Sequence, residues 1–390
     1  MNESLVIVEP MCRGFEHVQF NAPFLRSCSQ AFPNASLTFL AESSHIDFVH
    51  ATLERETPGL NVTWRKIQLP DRHLSPRRRM QHERRIIHEA FRLAAEINAT
   101  LVAFASATDT ALLATKLQLY GSKPRFHVLM VLHGVLTGLE DRSRPMTAWR
   151  GISLALKMPH PRSLRLIVPG QPIQDTLARR FPRIARATRP AEHPAFWVET
   201  SMPELPSHKP VRFGFFGVSA VPGFDMVARV AATLRAEGSR AEFSMAGHLN
   251  HPDDATRDYS AVPDASPRLL TDREYADRAR RFTYSLWTTR AHRSGLVAST
   301  TFLDALSFVK PLVYLANPLI DAYAAILGDI GYRCADEQEL TDVVRSLATD
   351  WPQERYRAQC EAILAGRHMF EPSAVAVSLR KIVEELRENR

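Results

Sequence analysis

Residues 293–317 read RSGLVASTTFLDALSFVKPLVYLAN, and the fold of the chain is most legible there. Ser294 and Gly295 open a turn, and Ser299, Thr300 and Thr301 place hydroxyls and backbone N–H groups ahead of a helical segment from Phe302 to Phe308. A helix start with unpaired amide donors and the positive end of its dipole attracts an anion. Lys310-Pro311 then ends the helix and begins an apolar strand through Leu315. Arg290 and Arg293, just upstream, are the nearest side chains able to add positive charge to such a site.

Moving toward the N-terminus, RFGFFGVSAVPGFD at 212–225 has the order strand, glycine turn, helix that opens a nucleotide-binding unit. The apolar run Val211 to Phe216 is the strand, and an apolar helix is expected from Phe224 to Leu234. Only Gly217 follows the strand closely, so the three-glycine dinucleotide fingerprint is missing and no nicotinamide or flavin is expected. A P-loop is missing too. The turn from Gly217 to Gly223 can aim backbone N–H groups at a diphosphate, or it is a plain strand-to-helix connection. Further strands are expected at Ala241 to Ala246 and Tyr284 to Trp287, and a C-terminal amphipathic helix from Val375 to Leu386.

The first half repeats the alternation of apolar run and helical pattern that marks parallel-sheet βαβ units. Its strands are expected at Leu5 to Val8, Leu37 to Leu40, Leu101 to Ala105, His127 to Leu132 and Leu164 to Val168. Between them lies the amphipathic Arg84 to Ile97, and a helical Asp175 to Phe181 completes a last strand and helix of the first domain. From Pro182 to Pro210 prolines are frequent and apolar periodicity lapses, as in a linker. The reading is therefore an α/β chain of two domains in tandem, 1–185 and 211–370, joined by a linker at 186–210 and followed by a terminal helix at 371–390.

Size and composition agree. A chain of 390 residues with 45% hydrophobic and 23% charged residues supports two packed cores and little disorder. The N-terminal apolar run is too short for a signal peptide, and no stretch holds the roughly 20 apolar residues that cross a bilayer. Cys12, Cys28, Cys334 and Cys360 lack the paired spacings of a zinc cluster or a disulfide framework. Reduced thiols in the cytoplasm are the simplest expectation.

At this point the residues resemble a known family. LDALSFVKPLVYL is similar to the donor-domain motif of glycosyltransferases with the GT-B fold, in particular the glycosyltransferase family 4 / group 1 superfamily. The resemblance covers 211–390 well and the first half by architecture. It implies two Rossmann-like domains facing across a cleft, with a nucleotide diphosphate sugar held by the second. It also implies that Asp304 contacts the nucleotide ribose, that Gly247 at the end of FSMAGH lies near the nucleotide, and that the last helix crosses back to the first domain. No cofactor or metal is implied, because GT-B enzymes generally work without an Asp-x-Asp motif, and Asp253-Asp254 does not match one. Two departures stand out. Retaining members usually carry a glutamate eight positions before the second carboxylate, where this chain has Leu296. They also use Arg and Lys after the first donor-domain strand, and VSAVPG has neither.

For chemistry the first domain offers three candidates, His133, Glu16 and His17, with Asn21 on the same loop as the last two. His133 follows the run Val128 to Leu132, at the carboxyl end of a strand where open α/β sheets bind ligands, and an imidazole there can orient an acceptor hydroxyl or take its proton. GFEHVQFN places Glu16, His17 and Asn21 on the first loop, where they hold an acceptor or supply a base, unless Asn21 merely caps the next helix.

The formal net charge of +7 gathers in part at Arg77, Arg78, Arg79, Arg84 and Arg85. No aromatics interleave there, which argues against single-stranded nucleic acid and for a phosphate-bearing acceptor or an anionic membrane surface. The expected activity is hexosyl transfer to a saccharide or lipid-linked acceptor in surface polysaccharide synthesis, by a cytoplasmic protein, peripheral at the inner face of the membrane. An inactive GT-B-like binding or scaffold protein is the alternative, and an epimerase on the same tandem fold a third reading.

Overall fold

A computed structural model describes residues 3–71, 74–122, 124–139, 151–204, 210–219, 223–289 and 295–388. The chain divides into two compact units. Unit 1 comprises Met1–Phe196, Leu296–Ala298 and Met369–Arg390, and unit 2 comprises Trp197–Gly295 and Ser299–His368.

Unit 1 runs β1 (Ser4–Val8), α1 (Val18–Ala31), β2 (Ser36–Ala41), α2 (Ser43–Glu56), β3 (Val62–Lys66), α3 (Pro76–Glu96), β4 (Leu101–Phe104), α4 (Asp109–Ser122), β5 (His127–Val131), α5 (Ile152–Lys157), β6 (Leu164–Pro169), α6 (Gln171–Arg180), α7 (Pro182–Ala185) and β7 (Thr188–Ala191). Its strands pair in parallel in the order β3-β2-β1-β4-β5-β6-β7. Interior strands such as β4 and β5 are buried along their whole length, as strands covered by helices on both faces must be.

The edge strands differ from the sequence-based expectation. β3 and β7 form without continuous apolar runs, and β7 lies inside the stretch expected to be linker, so β6 and α6 do not close the first domain. Pro190 is compatible with that position because an edge strand has one side without ladder bonds.

Unit 2 runs β8 (Arg212–Val218), α8 (Phe224–Ala236), β9 (Glu242–His248), α9 (Asp272–Arg280), β10 (Tyr284–Trp287), α10 (Thr300–Ser307), β11 (Leu312–Leu315), α11 (Pro318–Leu327), β12 (Gly331–Cys334), α12 (Glu337–Thr349) and α13 (Gln353–Gly366). The sheet order is β12-β11-β10-β8-β9, again parallel. Buried cations close helix ends here. Lys310 Nζ donates to the carbonyl of Arg280, the last residue of α9, at 2.9 Å, and Arg367 Nη1 donates to the Leu306 carbonyl of α10 at 2.8 Å. Both add a donor to carbonyls in the last turn of a helix, where regular intrahelical partners run out.

The last helix, α14 (Pro372–Glu388), belongs to unit 1. Val375, Leu379, Ile382 and Leu386 share a core with Phe20, Phe24 and Cys28 of α1. Arg380 donates to the carbonyls of Ala31 and Gln30, each at 3.1 Å, and Arg189 pairs with Glu385 at 2.8 Å. The four cysteines are buried and form no disulfide. Among the described residues no helix is long and apolar enough to cross a membrane.

Candidate functional site

In unit 2 the strand order turns at β8. The chain passes from β8 to β9 on one side, then returns to place β10 on the other. Such a switch point leaves a crevice outside the carboxyl ends of the two central strands, where open α/β sheets bind ligands. Two helix N-termini meet there. Ser299 caps α10, its hydroxyl accepting from Phe302 N at 3.2 Å and from Trp287 Nε1, at the end of β10, at 3.2 Å. A Cβ built on Gly217, near the end of β8, lies 3.0 Å from Thr301 Cγ2, so the first turn of α10 abuts that strand. The N-terminus of α8 arrives at the same end of β10, where Thr288 Oγ1 donates to the Gly223 carbonyl at 2.8 Å. Glycine is required at 223, since its φ is +120° and a Cβ would sit 2.3 Å from Thr288 Oγ1.

The expected donor-site residues that fall among the described ones take up the following places. Gly217 has φ +104°, which favours glycine, and it stands opposite Gly247 across β8 and β9. Thr300 is exposed on the first turn of α10, Ser299 and Thr301 are half-buried with their hydroxyls 3.0 Å apart, and Gly295 is buried. Asp304 accepts a 2.9 Å hydrogen bond from the Tyr275 hydroxyl. Burial pushes the Asp304 carboxyl up to about 7, against the pull of that hydrogen bond. Leu296, where the family carries a carboxylate, is fully buried. Arg290, Arg293 and Ser294 lie outside the described residues. Asp254 is a lock between loops, accepting from the hydroxyls of Ser219 and Tyr259 at 2.6 and 2.9 Å.

Unit 1 carries a pocket of about 400 Å³ at the carboxyl end of β1. Its wall includes Cys12, Arg13, Glu16, His17, Arg79 and Glu83. Arg13 Nη2 donates to the carbonyl of Pro70 at 2.8 Å, and its N–H is held by Glu16 Oε2 at 2.9 Å. Glu83 is buried and accepts from the hydroxyls of Thr108 and Thr110 at 2.7 and 2.5 Å. Burial raises its carboxyl above the usual range, the threonine bonds opposing. Guanidinium, carboxylate and hydroxyl groups converging on one concavity suit a polar, hydroxyl-bearing ligand.

The three candidates for chemistry separate here. Glu16 and His17 both line the pocket; His133 does not line it. His133 stands at the carboxyl end of β5, but its ring is packed edge-on to Phe20, with ring centres 4.2 Å apart, and lies 5.2 Å from the His17 ring. Its Nε2 is sealed from solvent and has no partner. Burial, and then the neighbouring His17 and His193, hold it well below the ordinary histidine range. An imidazole kept neutral this way is a poor proton acceptor. Asn21 is neither on the loop nor a cap. It lies inside α1, fully buried, and donates to Glu9 Oε2 at 3.1 Å and His45 Nε2 at 2.7 Å.

Of the basic residues, Arg77, Arg78, Arg84 and Arg85 are exposed on α3. Arg79 is instead drawn into the pocket wall, with Nη2 2.9 Å from Asp109 Oδ1 and Nε 3.2 Å from Thr110 Oγ1. Sequence reading passed over Glu9, His45, Glu83 and Thr108. The signal for Glu9 is a carboxylate directly after an apolar strand, at the position that open sheets use for ligands.

No protein-family model matches the sequence, and no curated protein matches it. Solved structures do. HepE of Anabaena, in complex with UDP and glucose, superposes with a TM-score of 0.64 at 13% identity, over 98% of this chain and 100% of the other. A glycosyltransferase from Rickettsia africae gives 0.63 at 8% identity, with both chains covered in full at 100%. The N-terminal domain of the Candida albicans trehalose-6-phosphate phosphatase gives 0.63 at 9% identity, over 100% of this chain and 97% of that one. Identities this low establish fold, and the spread of names among these proteins shows why activity must be argued from the sites.

Proposed function

We propose, from the GT-B fold that this chain shares with HepE and the Rickettsia africae glycosyltransferase, that it transfers a sugar from a nucleotide diphosphate sugar to an acceptor. The observation that carries this reading is the meeting of the α8 and α10 N-termini at the switch point of unit 2. As the glycosidic bond breaks, negative charge grows on the leaving diphosphate, and fixed amide dipoles stabilise that charge without reorganising. Gly217 and Gly247 keep the strand ends free of side chains, and Ser299, Thr300 and Thr301 supply the donors. Transfer is read as needing no divalent ion at the diphosphate, with Arg290 and Arg293, which lie outside the described residues, as the expected source of positive charge. UDP-glucose, with which HepE forms a complex, is the model for the donor.

Unit 1 holds the acceptor in its pocket, with Glu16 or His17 as the group that receives the hydroxyl proton. A lipid-linked saccharide in surface polysaccharide synthesis fits the surroundings. Met11, which lines the pocket, is exposed, as are Phe15 and Phe48, whose ring centres lie 6.5 Å apart, and the exposed arginines of α3 complement anionic headgroups. The protein then works in the cytoplasm, peripheral at the inner face of the membrane.

Thermal shift against UDP, GDP, ADP and CDP tests the donor half. A nucleotide at 100 times its dissociation constant adds about 2.7 kcal/mol of stability. Stabilisation by one base, followed by turnover of its sugar conjugate without added Mg²⁺ or Mn²⁺, supports transfer. Binding without turnover supports a scaffold, exchange at the sugar without acceptor supports an epimerase, and no stabilisation by any base rejects the proposal.

A further inference from the structure

The loop that follows β1 brings together three side chains of different chemistry. Glu9, Cys12 and His17 each place a ligating atom within 4.8 Å of the other two. We propose that they form a site for a borderline-soft divalent cation, Zn²⁺ being the best match to one carboxylate, one thiolate and one imidazole.

Two of the three donors are already fixed. Glu9 is 0% exposed and Cys12 5%. Glu9 Oε1 accepts from the backbone N–H of Met11 and Cys12 at 2.9 and 3.2 Å and from the Ser106 hydroxyl, while Oε2, among the described residues, accepts from Asn21 Nδ2 at 3.1 Å. A carboxylate has about four acceptor directions, so one on Oε2 remains for a cation. Behind it stands a supporting chain. Asn21 Nδ2 also donates to His45 Nε2, which fixes the His45 proton on Nδ1, donated to the Gly14 carbonyl at 2.8 Å. Metal-ligating carboxylates are held by outer-shell bonds of this kind.

The third donor is movable. His17 is exposed, so its ring is free to turn toward the other two. In a tetrahedral zinc site donor atoms lie roughly 3.3–3.8 Å apart. The present spacing, at most 4.8 Å between any two donors, therefore closes with about 1 Å of adjustment shared among the three side chains, the exposed imidazole moving most easily. On binding, the Cys12 S–H proton passes to solvent and the sulfur lone pair goes to the metal. Three protein ligands leave a fourth position open. Cys12 and His17 both line the pocket of unit 1, so that position faces its interior, where a hydroxyl or water of a bound polar ligand completes the coordination. The site does not depend on sugar transfer, and its test is read without nucleotide or acceptor.

Cobalt(II) is the probe, titrated into the full chain under reducing conditions. One equivalent is expected to develop a near-ultraviolet thiolate-to-cobalt band, which Zn²⁺ bleaches by displacement. Cys12→Ser is expected to abolish the band and His17→Ala to weaken cobalt binding at least tenfold, with metal-free thermal melts of His17→Ala unchanged because that side chain is exposed. Cys28→Ser, altering a thiol outside the cluster, is expected to keep the band. Absence of the band from the unsubstituted protein, or its persistence at full affinity in either Cys12→Ser or His17→Ala, overturns the proposal.

Discussion

Gly217 and Gly247 face each other across β8 and β9, and a Cβ on Gly247 would lie 1.5 Å from the Gly217 carbonyl oxygen. No rotamer relieves a clash between a Cβ and backbone. Gly247→Ala must therefore push the two strands apart at the end where ligands are expected, at a cost of about 3 kcal/mol, the upper range for overpacking. Chemical denaturation of the variant measures it, and a loss under 1 kcal/mol would show that the strand ends yield easily.

Ser299 serves as a helix cap and as the acceptor for the Trp287 indole. Ser299→Ala is expected to lower stability by about 1–2 kcal/mol, the cost of a lost cap. Thr300→Ala, on the exposed first turn, is expected to leave stability within about 0.5 kcal/mol. Equal melting shifts in the two variants would contradict the assigned capping role.

Asp304 titrates near 7 in the folded chain against an ordinary value of 3.8. Between those values the native state holds a proton that the unfolded chain has released. The stabilisation from this group is complete below pH 3.8 and is lost as pH rises through about 7, with a slope of at most about 1.4 kcal/mol per pH unit. Asp304→Asn removes the titration, so the stability of the unsubstituted protein relative to the variant should fall from pH 4 to pH 7. Parallel urea titrations at several pH values report it, and a constant difference argues against the raised value.

Asn21 bridges two buried acceptors, Glu9 and His45. Asn21→Leu removes the donor to Glu9 Oε2 and to His45 Nε2, both buried, which is expected to cost about 2–4 kcal/mol. Because α1 also packs on α14, amide exchange in both helices is expected to accelerate, and unchanged protection would place the network outside the core of unit 1.

The four exposed arginines of α3 bear on the membrane reading. Near an anionic surface each is worth about 1 kcal/mol. Reversing Arg77, Arg78, Arg84 and Arg85 to glutamate is expected to abolish co-sedimentation with anionic vesicles at low salt, while circular dichroism stays unchanged. Vesicle binding that survives the reversal would assign attachment to another surface.

By itself the sequence determined the strands of both sheet interiors. β1, β2, β4, β5 and β6 of unit 1, and β8, β10 and β11 of unit 2, are visible as apolar runs because a strand covered on both faces has no polar side to offer. It also determined the alternation with helices, the capping serine ahead of α10 and the terminal helix. What it could not specify are three of the four sheet edges, β9 being the one that reads as an apolar run, and the encounters. β3, β7 and β12 sit at sheet edges, half in solvent, so VTWRK, TRPA and GYRC carry no continuous apolar signal and only the neighbouring strand makes them strands. The pocket of unit 1 joins loops distant in sequence, with Arg13 meeting the Pro70 carbonyl across 57 positions. Asn21 and His133 read as site residues from their place in the chain, whereas packing sends one into a buried bridge and seals the other. Local pattern encodes which face of an element is apolar; which polar groups then meet is decided by how helices and strands settle against one another, and that is a property of the tertiary structure alone.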